Sequence, residues 1–436
     1  MPGPAIPEGG GYRLARARIP ACLSAGGHFQ ADSDGLALVD IAVASGSIAG
    51  IEPPAAEPSN GAIDLAGRIV FPALVDCHTH IDKGHIWPRM PNPDGSFAAA
   101  LDAVERDRQA RWSAEDVARR MEFSLRCAYA HGTAALRTHI DSLPPQETIS
   151  WPVFEEMRRR WEGRIALQGV SLVTVEQVRD ASWFTSLADR VAAAAGVLGC
   201  VAFMVPDLDA LLDKVVRAAA ERGLDLDFHA DETADPEAHA LDRIAEAVLR
   251  NNFEGRVLVG HCCSVARQAA DIARRTLDKV ARAGLSVVSL PMCNLYLQDR
   301  RLDRATPYWR GVTLLHEMKA RGTKVAVASD NTRDPFYAHG DLDMLEVYRM
   351  ATRILHFDHP VGDWPAAIAA TPAALMGLDG LGRIAPGAPA DFILFRGRSW
   401  TELLSRPESD RIVVRAGREI STELPDYSEL DDLMVA

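Results

Sequence analysis

Short apolar runs alternate with longer mixed stretches through the middle of the chain. Each run is long enough for one buried strand, and each intervening stretch has room for at least one helix. The runs are VFPALVDCHTH (70–80), TAALRTHID (133–141), RIALQGVSLV (164–173), GVLGCVAFMV (196–205), LDLDFHADE (224–232), RVLVGHCC (256–263), LSVVSLPMCN (285–294) and KVAVASDN (324–331). Two intervening stretches, DKVVRAAAERG and LDKVARAG, are amphipathic and end at a glycine, as helices often do.

Strands that alternate with helices in this way predict a (β/α)8 barrel. A doubly wound open sheet is the alternative, but no glycine-rich phosphate turn follows the first run. Both ends of the chain differ from the middle, because they contain short alternating runs such as YRLARARIP and DRIVVRAGREI between glycines and prolines. These runs predict β-strands outside the barrel.

Composition and charge narrow the class of protein. The 436 residues are 47% hydrophobic and 25% charged, which is typical of a globular chain rather than a disordered or fibrous one. A net charge of −13 disfavours a nucleic-acid partner, because a phosphate backbone is bound by a basic face. We find neither a signal peptide nor an apolar run of about 18 residues, so we expect no membrane partner and a cytoplasmic location. The seven cysteines include no C-x-x-C pair, which favours reduced thiols.

Several apolar runs end in residues that can bind a metal ion. These residues are His78, His80, His139, Asp141, His229, Asp231, Glu232, His261 and Asp330. The carboxyl ends of barrel strands converge on one face, so we expect these side chains to share one pocket. His78 and His80 are two positions apart on a strand and therefore point to the same side. His229 and Asp330 would complete a set of nitrogen and oxygen ligands, which suits Zn²⁺ or Fe²⁺. Such an ion lowers the pKa of water and supplies hydroxide at neutral pH.

Two alternatives to this metal site remain open. A single strand-end histidine is more often a structural residue, so the interpretation depends on the whole set. Thiolate ligation by Cys77, Cys262 or Cys263 is the other alternative. We expect these cysteines instead to pack against the barrel wall as small apolar groups.

Several longer motifs carry a family resemblance that covers nearly the whole chain. They are FPALVDCHTHID, HADE, the GH of the sixth run, PMCNLYLQDR, ASDNTRDPFYAHGDLDML and GRIAPGAPADFILF. With them the chain resembles the amidohydrolase superfamily and, within it, the cytosine deaminase-like group. The resemblance implies a barrel over residues 71–379 and a small β-sandwich domain formed jointly by residues 1–70 and 380–436.

The resemblance also bears on the number of metal ions. Superfamily members with two metals have a bridging lysine or glutamate at the end of the fourth strand. Here that end reads LGCVAFMVPDLD, and Asp207 is the nearest carboxylate. We therefore expect one divalent metal, Zn or Fe.

Catalytic roles follow from the same resemblance. Glu232 would pass a proton to the ring nitrogen of the substrate, and Asp330 would bind metal and accept a proton from the attacking water. His261 would orient or polarise that water and stabilise charge on the tetrahedral intermediate. The alternative for Glu232 is a carboxylate favoured by a helix N-terminus, although Asp231 and Asp235 could serve there too.

Four residues are predicted to bind substrate. Thr174 occupies the position of a glutamine that contacts the pyrimidine in cytosine deaminases, and Asn331 replaces the family's second aspartate. Both departures change hydrogen bonding toward the substrate ring rather than the metal chemistry. Trp87 and Phe336 would stack on the ring, with ordinary loop packing as the alternative.

The turn after the first strand contributes two further expectations. The H-T-H-x-D-K pattern at 78–83 is similar to that of group members acting on amino-substituted triazines. We expect Lys83 to pair with a neighbouring carboxylate rather than contact substrate. The proline-rich segment 85–97 is a candidate lid over the pocket.

These observations predict an enzyme with a small heterocyclic substrate. The first hypothesis is a hydrolytic deaminase of cytosine or a similar aminated ring, in which metal-activated water attacks the amino-bearing carbon and ammonia leaves. The alternative is an amidohydrolase that opens a cyclic amide or removes an alkylamine from a triazine. A non-catalytic barrel is disfavoured because all the candidate ligands are present. A homo-oligomer is compatible with the resemblance.

Overall fold

The computed structural model describes residues 5–27, 29–301 and 303–435. The chain divides into two compact units. The first unit comprises Met1–Asp76, Arg126–Ala135 and Asp343–Pro425. The second comprises Cys77–Leu125, Leu136–Leu342 and Asp426–Ala436.

Strands and helices alternate through the middle of the chain, as the sequence predicts. The strands are β1 (Tyr12–Pro20), β2 (Leu36–Ala44), β3 (Ser47–Glu52), β4 (Ile63–Asp64), β5 (Val70–Pro72), β6 (Leu74–Thr79), β7 (Thr133–Asp141), β8 (Ala166–Leu172), β9 (Leu198–Ala202), β10 (Leu226–Ala230), β11 (Val257–His261), β12 (Ser286–Ser289), β13 (Val325–Val327), β14 (Phe392–Leu394), β15 (Ile412–Arg415) and β16 (Arg418–Glu419). The helices are α1 (Phe97–Arg111), α2 (Ala114–Ala130), α3 (Glu147–Arg160), α4 (Ala181–Ala193), α5 (Leu208–Arg222), α6 (Ala240–Arg250), α7 (Ala270–Arg282), α8 (Pro291–Leu297), α9 (Leu315–Lys319), α10 (Met344–Leu355), α11 (Ala370–Leu375) and α12 (Trp400–Ser405). Short 3-10 helices lie at Ala21–Leu23, Val175–Arg179, Cys263–Arg267, Trp364–Ile368 and Tyr427–Leu433.

The first unit contains two four-stranded sheets. Their strand orders are β3-β2-β1-β4 and β16-β15-β14-β5. Within the first sheet β1 and β2 are antiparallel, with Leu14 opposite Ile41. Side chains from both sheets, including Val70, Phe392 and Val414, share one apolar core. Two sheets around one core form the small β-sandwich domain that the sequence predicts.

The eight barrel strands lie in the second unit, except that the first three residues of β6 and of β7 belong to the first. The barrel strands form two parallel sheets, β6-β7-β8 and β13-β12-β11-β10-β9. Parallel bridges join the two sheets at both edges. The bridges are Val170 with Val197, Thr174 with Val201, and Thr79 with Asp330. The predicted (β/α)8 fold is therefore confirmed, and it brings the carboxyl ends of all eight strands to one face.

Burial explains why these segments form strands and helices. All nine residues of β7 are buried, as expected of a barrel strand covered on both faces. Helix α5 buries the stripe formed by Leu211, Val215 and Ala219, and it ends at Gly223 in a left-handed conformation with φ of 64°. None of the helices in the described residues is both long and apolar enough to cross a membrane.

The limits of the two units differ from the domain boundaries predicted at residues 70 and 379. The first unit includes α10, and within that unit Arg411 Nη2 lies 2.6 Å from the Asp343 carboxylate, which precedes this helix. The last eleven residues belong to the second unit rather than to the predicted segment 380–436. There Tyr427 stacks on Phe123 with ring centroids 5.7 Å apart. The domain division from the sequence stays a prediction.

Replacement of Gly199 by alanine is expected to destabilise the barrel. A Cβ atom at this position of β9 would lie 2.6 Å from the carbonyl oxygen of Asp227 and 2.7 Å from that of Ser171. Because backbone atoms cannot easily move aside, Gly199→Ala should lower the free energy of unfolding by about 1–3 kcal/mol. Urea denaturation followed by circular dichroism measures this change. The control is Gly50→Ala on β3, where no heavy atom lies within 4 Å and the expected change is below about 0.5 kcal/mol. Equal effects of the two substitutions would contradict the prediction.

Candidate active site

Five buried imidazoles meet at the carboxyl ends of the barrel strands. They belong to His78 on β6, His80 just after it, His139 on β7, His229 on β10 and His261 on β11. Ring centroids lie 4.1 Å apart for His78 and His139 and 5.5 Å apart for His78 and His261. The convergence that the strand pattern predicts is therefore present.

Three of the predicted metal ligands, His78, His80 and His229, belong with His139 to one group of ligand atoms within 4.8 Å of one another, and Asp330 belongs to a second group with His78 and His261. His80 Nε2 lies 3.2 Å from His229 Nε2 and 3.3 Å from Asp330 Oδ1. His78 Nε2 lies 3.7 Å from the same Asp330 oxygen. Ligands bound tetrahedrally at about 2.0–2.2 Å from a zinc ion are themselves roughly 3.3–3.6 Å apart. The spacing therefore suits a divalent ion, and binding by these residues stays a prediction.

The protonation state of the imidazoles also suits metal binding. Burial, reinforced by neighbouring imidazoles, lowers the pKa of His78, His80 and His229 well below the usual range. Neutral imidazole is the form that binds metal. In the described part of the chain, neither ring nitrogen of the buried His78 has a hydrogen-bond partner. An ion would therefore satisfy atoms that are otherwise costly to bury.

His139 lies close to the cluster but has other partners. Its Nε2 lies 3.2 Å from Asp227 Oδ1, and its Nδ1 lies 3.4 Å from the Thr79 carbonyl oxygen. Arg137 Nη1 donates to the other oxygen of the same Asp227 carboxylate at 2.9 Å. Both oxygens near the ring are acceptors and a neutral imidazole has one N–H, so only one nitrogen of His139 donates a hydrogen bond; its ring also belongs to the same group of ligand atoms as His78, His80 and His229. The sequence places His139 at a strand end, but it does not show these partners.

Glu232 has the surroundings of a proton donor. Burial and the nearby Asp330 carboxylate raise the pKa of Glu232 well above its usual range, although the charge of Lys83 acts to lower it. Burial therefore favours the protonated, neutral form of this carboxyl group. Its Oε1 lies 3.3 Å from His261 Nδ1 and 3.3 Å from Asn294 Nδ2.

Asp231, and not Glu232, binds the helix N-terminus that was the alternative partner for Glu232. The two carboxylate oxygens of Asp231 accept hydrogen bonds from the backbone amides of Ala240 and Leu241 at 2.8 and 2.9 Å. These are the first two residues of α6. Glu232 is therefore available to the pocket.

His261 is held as a neutral hydrogen-bond donor. Burial lowers the pKa of His261 to about 3, so its ring carries one proton at neutral pH. Asn294 Nδ2 donates to His261 Nδ1 at 3.0 Å, which leaves the proton on Nε2. Asn294 lies on α8 and is fully buried. Its role is not evident from sequence, although the PMCN run follows a strand end as the predicted site residues do.

Cysteine thiols pack around the site. Burial raises the pKa of both Cys262 and Cys263 well above the usual range, so both are neutral thiols. In the described residues, close groups of ligand atoms include Cys293 but not Cys77, Cys262 or Cys263. These observations favour packing of the three cysteines over thiolate ligation.

Asp207, the nearest carboxylate at the end of the fourth barrel strand, forms an ion pair away from the imidazoles. Its Oδ1 lies 2.8 Å from Arg179 Nη2, and its side chain is 44% exposed. The expectation of one metal stays a prediction.

The predicted substrate-binding residues differ in their surroundings. Thr174 caps the 3-10 helix Val175–Arg179, and its hydroxyl donates to the Gln177 side chain. In the described hydrogen bonds Thr174 does not contact the imidazole cluster. Asn331 is buried, its Nδ2 donates to Asp334 Oδ2 at 2.7 Å, and its Oδ1 accepts from the Cys293 thiol at 3.6 Å. Asn331 therefore anchors its own loop.

The two aromatic candidates lie on facing loops. Trp87 is half-buried, and its backbone amide donates to the Arg333 carbonyl oxygen at 2.9 Å. Phe336 is buried against Phe97, with ring centroids 5.5 Å apart. The candidate lid 85–97 is thus hydrogen-bonded to the loop that follows the metal-binding strand end. Its opening stays a prediction.

Lys83 differs from its sequence-based expectation. It is only 5% exposed, and no carboxylate in the described residues lies within 4.0 Å of its ammonium group. Its Nζ lies 5.2 Å above the Phe336 ring. The expected salt bridge is therefore wrong, and Lys83 belongs to the pocket.

Comparison with known proteins decides the family. The model described as "Amidohydrolase family" matches residues 174–420. This chain belongs to the amidohydrolase family. The amidohydrolase is metal-dependent, as its His-rich centre indicates.

Individual relatives extend the likeness to the whole chain. A protein named pterin deaminase from Rhizobium rhizogenes is 54% identical over 431 residues, or 99% of this chain and 98% of that protein. N-isopropylammelide isopropyl amidohydrolase from Pseudomonas sp. is 23% identical over 87% of this chain and 93% of that protein. The structure of 5-methylcytosine deaminase from Klebsiella pneumoniae with 5-fluorocytosine superposes with a TM-score of 0.81 at 21% identity, covering 95% of this chain and 98% of that one. This last similarity supports the fold of the amidohydrolase.

Removal of one predicted ligand is expected to release the metal. His78→Ala should reduce bound divalent metal from about one ion per chain to below a tenth of that, because a ligand pair on one strand is broken. Elemental analysis of the purified protein measures the metal content. His359→Ala is the control, because the side chain of His359 is 93% exposed and its loss should leave metal content unchanged. Full metal retention in His78→Ala would contradict the ligand assignment.

Proposed function

We propose that this amidohydrolase is a hydrolytic deaminase of pterins, which are 2-amino-4-oxopteridines. The observation that carries the proposal is the 54% identity to a pterin deaminase along 99% of the chain. The reaction adds water at C2 of the pteridine, breaks the bond to the exocyclic nitrogen and releases ammonia with a 2,4-dioxopteridine. The proposal keeps the class of reaction predicted from the sequence, deamination of an aminated N-heterocycle. It replaces cytosine by a pterin as the preferred substrate.

Two observations favour a pterin over cytosine. The cytosine-type structural neighbour is only 21% identical, so it informs the fold and not the substrate. Thr174 and Asn331, which stand where cytosine deaminases have glutamine and aspartate, both direct their side chains to protein groups. At these two positions the side chains therefore bond within the protein.

The residues of the pocket support the proposed chemistry. His78, His80, His229 and Asp330 would hold one Zn or Fe ion, which would lower the pKa of a water molecule and polarise it. The second oxygen of Asp330 would accept a proton from the attacking water. Because the ligands are buried, bulk water is excluded from the centre.

Glu232 and His261 complete the proton transfers. Glu232, whose protonated form burial favours, would donate to the ring nitrogen next to C2 as water attacks. His261 would direct its Nε2 proton toward the developing negative charge on the attacking oxygen. Return of a proton to the exocyclic nitrogen then makes ammonia a suitable leaving group.

The alternative reaction is removal of an alkylamine from a triazine ring. Its support is the 23% identity to N-isopropylammelide isopropyl amidohydrolase over 87% of the chain. This relative is much less similar than the pterin deaminase. The two reactions release different amines, so they are separated by product analysis.

A substrate panel tests the proposed reaction. We expect kcat/KM for pterin to exceed that for cytosine and N-isopropylammelide by about a hundredfold, because a site that binds one ring edge rejects rings lacking it. Ammonia and isopropylamine release, measured in separate assays, identify the reaction. Faster release of isopropylamine, or of ammonia from cytosine, would overturn the pterin assignment.

Substitution of Glu232 tests the proton donor. Glu232→Gln should keep its metal but lose about 10²–10⁴-fold in kcat, because an amide cannot supply the proton. Pterin turnover and metal content are measured on the same preparation. Glu237→Gln is the matched control, since Glu237 is exposed in the same loop and should retain full activity. An active Glu232→Gln enzyme would rule out this role.

A further inference from the structure

Lys83 is an unusual cation because it is buried without an ion-pair partner. Its backbone amide donates to the His80 carbonyl oxygen at 3.3 Å, within the turn that follows β6. The whole residue is 5% exposed. Lysine is almost never buried to this degree unless its charge is paired. The ammonium group therefore requires a partner that the folded chain does not supply in the described residues.

The ammonium group faces the centre of the pocket. Its Nζ lies 5.2 Å above the ring of Phe336, so this aromatic face forms one side of its surroundings. Its charge lowers the pKa values of His80, His229 and His261 and opposes the rise in the pKa of Glu232. These side chains come from three strand ends and the loop after β10. Lys83 is thus close to the groups that would act on a substrate.

The neighbouring carboxylates of Asp82 and Asp334 have other hydrogen-bond partners, although Asp82 Oδ1 has none in the described residues. Asp82 Oδ2 accepts from the Asp141 amide at 2.7 Å. The Asp334 oxygens accept from Asn331 Nδ2 and from the amides of Phe336 and Tyr337, at 2.7–3.1 Å. The charge of Lys83 acts to lower the pKa of both carboxyl groups, although neither lies within 4.0 Å of its ammonium group. No carboxylate in the described residues therefore pairs with the ammonium group of Lys83, which keeps donor capacity for a bound ligand.

We propose that Lys83 binds the 4-oxo oxygen of the pterin ring and so selects 4-oxo over 4-amino pteridines. The inference rests on the proposed function and adds a specificity residue to it. A carbonyl oxygen accepts a hydrogen bond from an ammonium group, whereas an aromatic amino group presents only donors. A 4-amino ring would leave the buried cation unpaired beside another donor, which is a strong basis for rejection.

The geometry relates this contact to the reaction. A ring held at O4 by Lys83 would present C2, two ring atoms away, to Glu232 and the predicted metal ligands. The Phe336 face beneath the ammonium group gives the same ring an apolar surface. Lys83 would therefore orient the substrate without transferring a proton.

The test compares two substrates with two variants. The variants are Lys83→Met, which keeps the length of the side chain and removes its charge, and Lys83→Gln, which keeps a donor without charge. The substrates are pterin and 2,4-diaminopteridine. We expect Lys83→Met to lose about a hundredfold in kcat/KM for pterin, mostly through KM, and to change less than about threefold for 2,4-diaminopteridine. Lys83→Gln should show an intermediate loss for pterin.

Metal content and thermal unfolding are measured on each variant, and both should match the wild type. Lys214→Met on α5 is the matched control, because Lys214 is exposed and its substitution should change neither substrate. Equal losses for both substrates at full metal content would overturn the proposal, since they would show a general role in folding the pocket.

A third substrate, 6-carboxypterin, tests the other possible partner of Lys83. An effect seen only with 6-carboxypterin would also overturn the proposal, because Lys83 would then bind the substituent carboxylate. A wild-type enzyme inactive on pterin would contradict the proposed function, whereas an active one unaffected by both Lys83 substitutions would contradict this inference alone.

Discussion

The hydrogen bond from the Asp330 amide to the His78 carbonyl oxygen, 2.9 Å long, joins the last barrel strand to the first. It forms part of the bridge between Thr79 and Asp330 that closes the barrel. Because of this closure, residues some 250 positions apart in sequence share one pocket. His78 and His80 are presented by the first strand and Asp330 by the last. Asp330 adopts a left-handed backbone with φ of 65°, a conformation that proteins often retain at functional sites.

Burial then determines which side chains of the pocket carry a charge. Desolvation lowers the pKa of the imidazoles and raises the pKa of Glu232, so burial favours the neutral form of the histidines and of the glutamic acid. Neutral histidines suit a cationic metal, and a neutral glutamic acid suits proton donation. The one buried ammonium group, Lys83, is then the strongest hydrogen-bond donor directed at substrate in the described pocket. Burial of these side chains therefore favours metal binding, acid catalysis and substrate selection together.

Much of this arrangement is predictable from the sequence. The eight apolar runs correspond to the eight barrel strands, and the strand-end rule brings His78, His80, His229 and Asp330 together. The partners of these residues are less predictable. Asn294 orients His261, and Asp227 engages His139, through contacts between different strands and loops that no local pattern encodes. The sequence predicts that Lys83 pairs with a neighbouring carboxylate, yet in the turn after β6 it is buried without such a partner in the described residues. The limits of the compact units also depend on such contacts, including those of the last eleven residues.

The central claim is that one divalent ion binds between the first, fifth and eighth barrel strands. Anomalous diffraction from crystals of the purified enzyme, recorded at the absorption edge of its metal, tests this claim most directly. The account predicts a single peak about 2.0–2.2 Å from nitrogens of His78, His80 and His229 and from an oxygen of Asp330. A peak bound instead by His139 or Cys293, or a second ion bridged to the first, would contradict it.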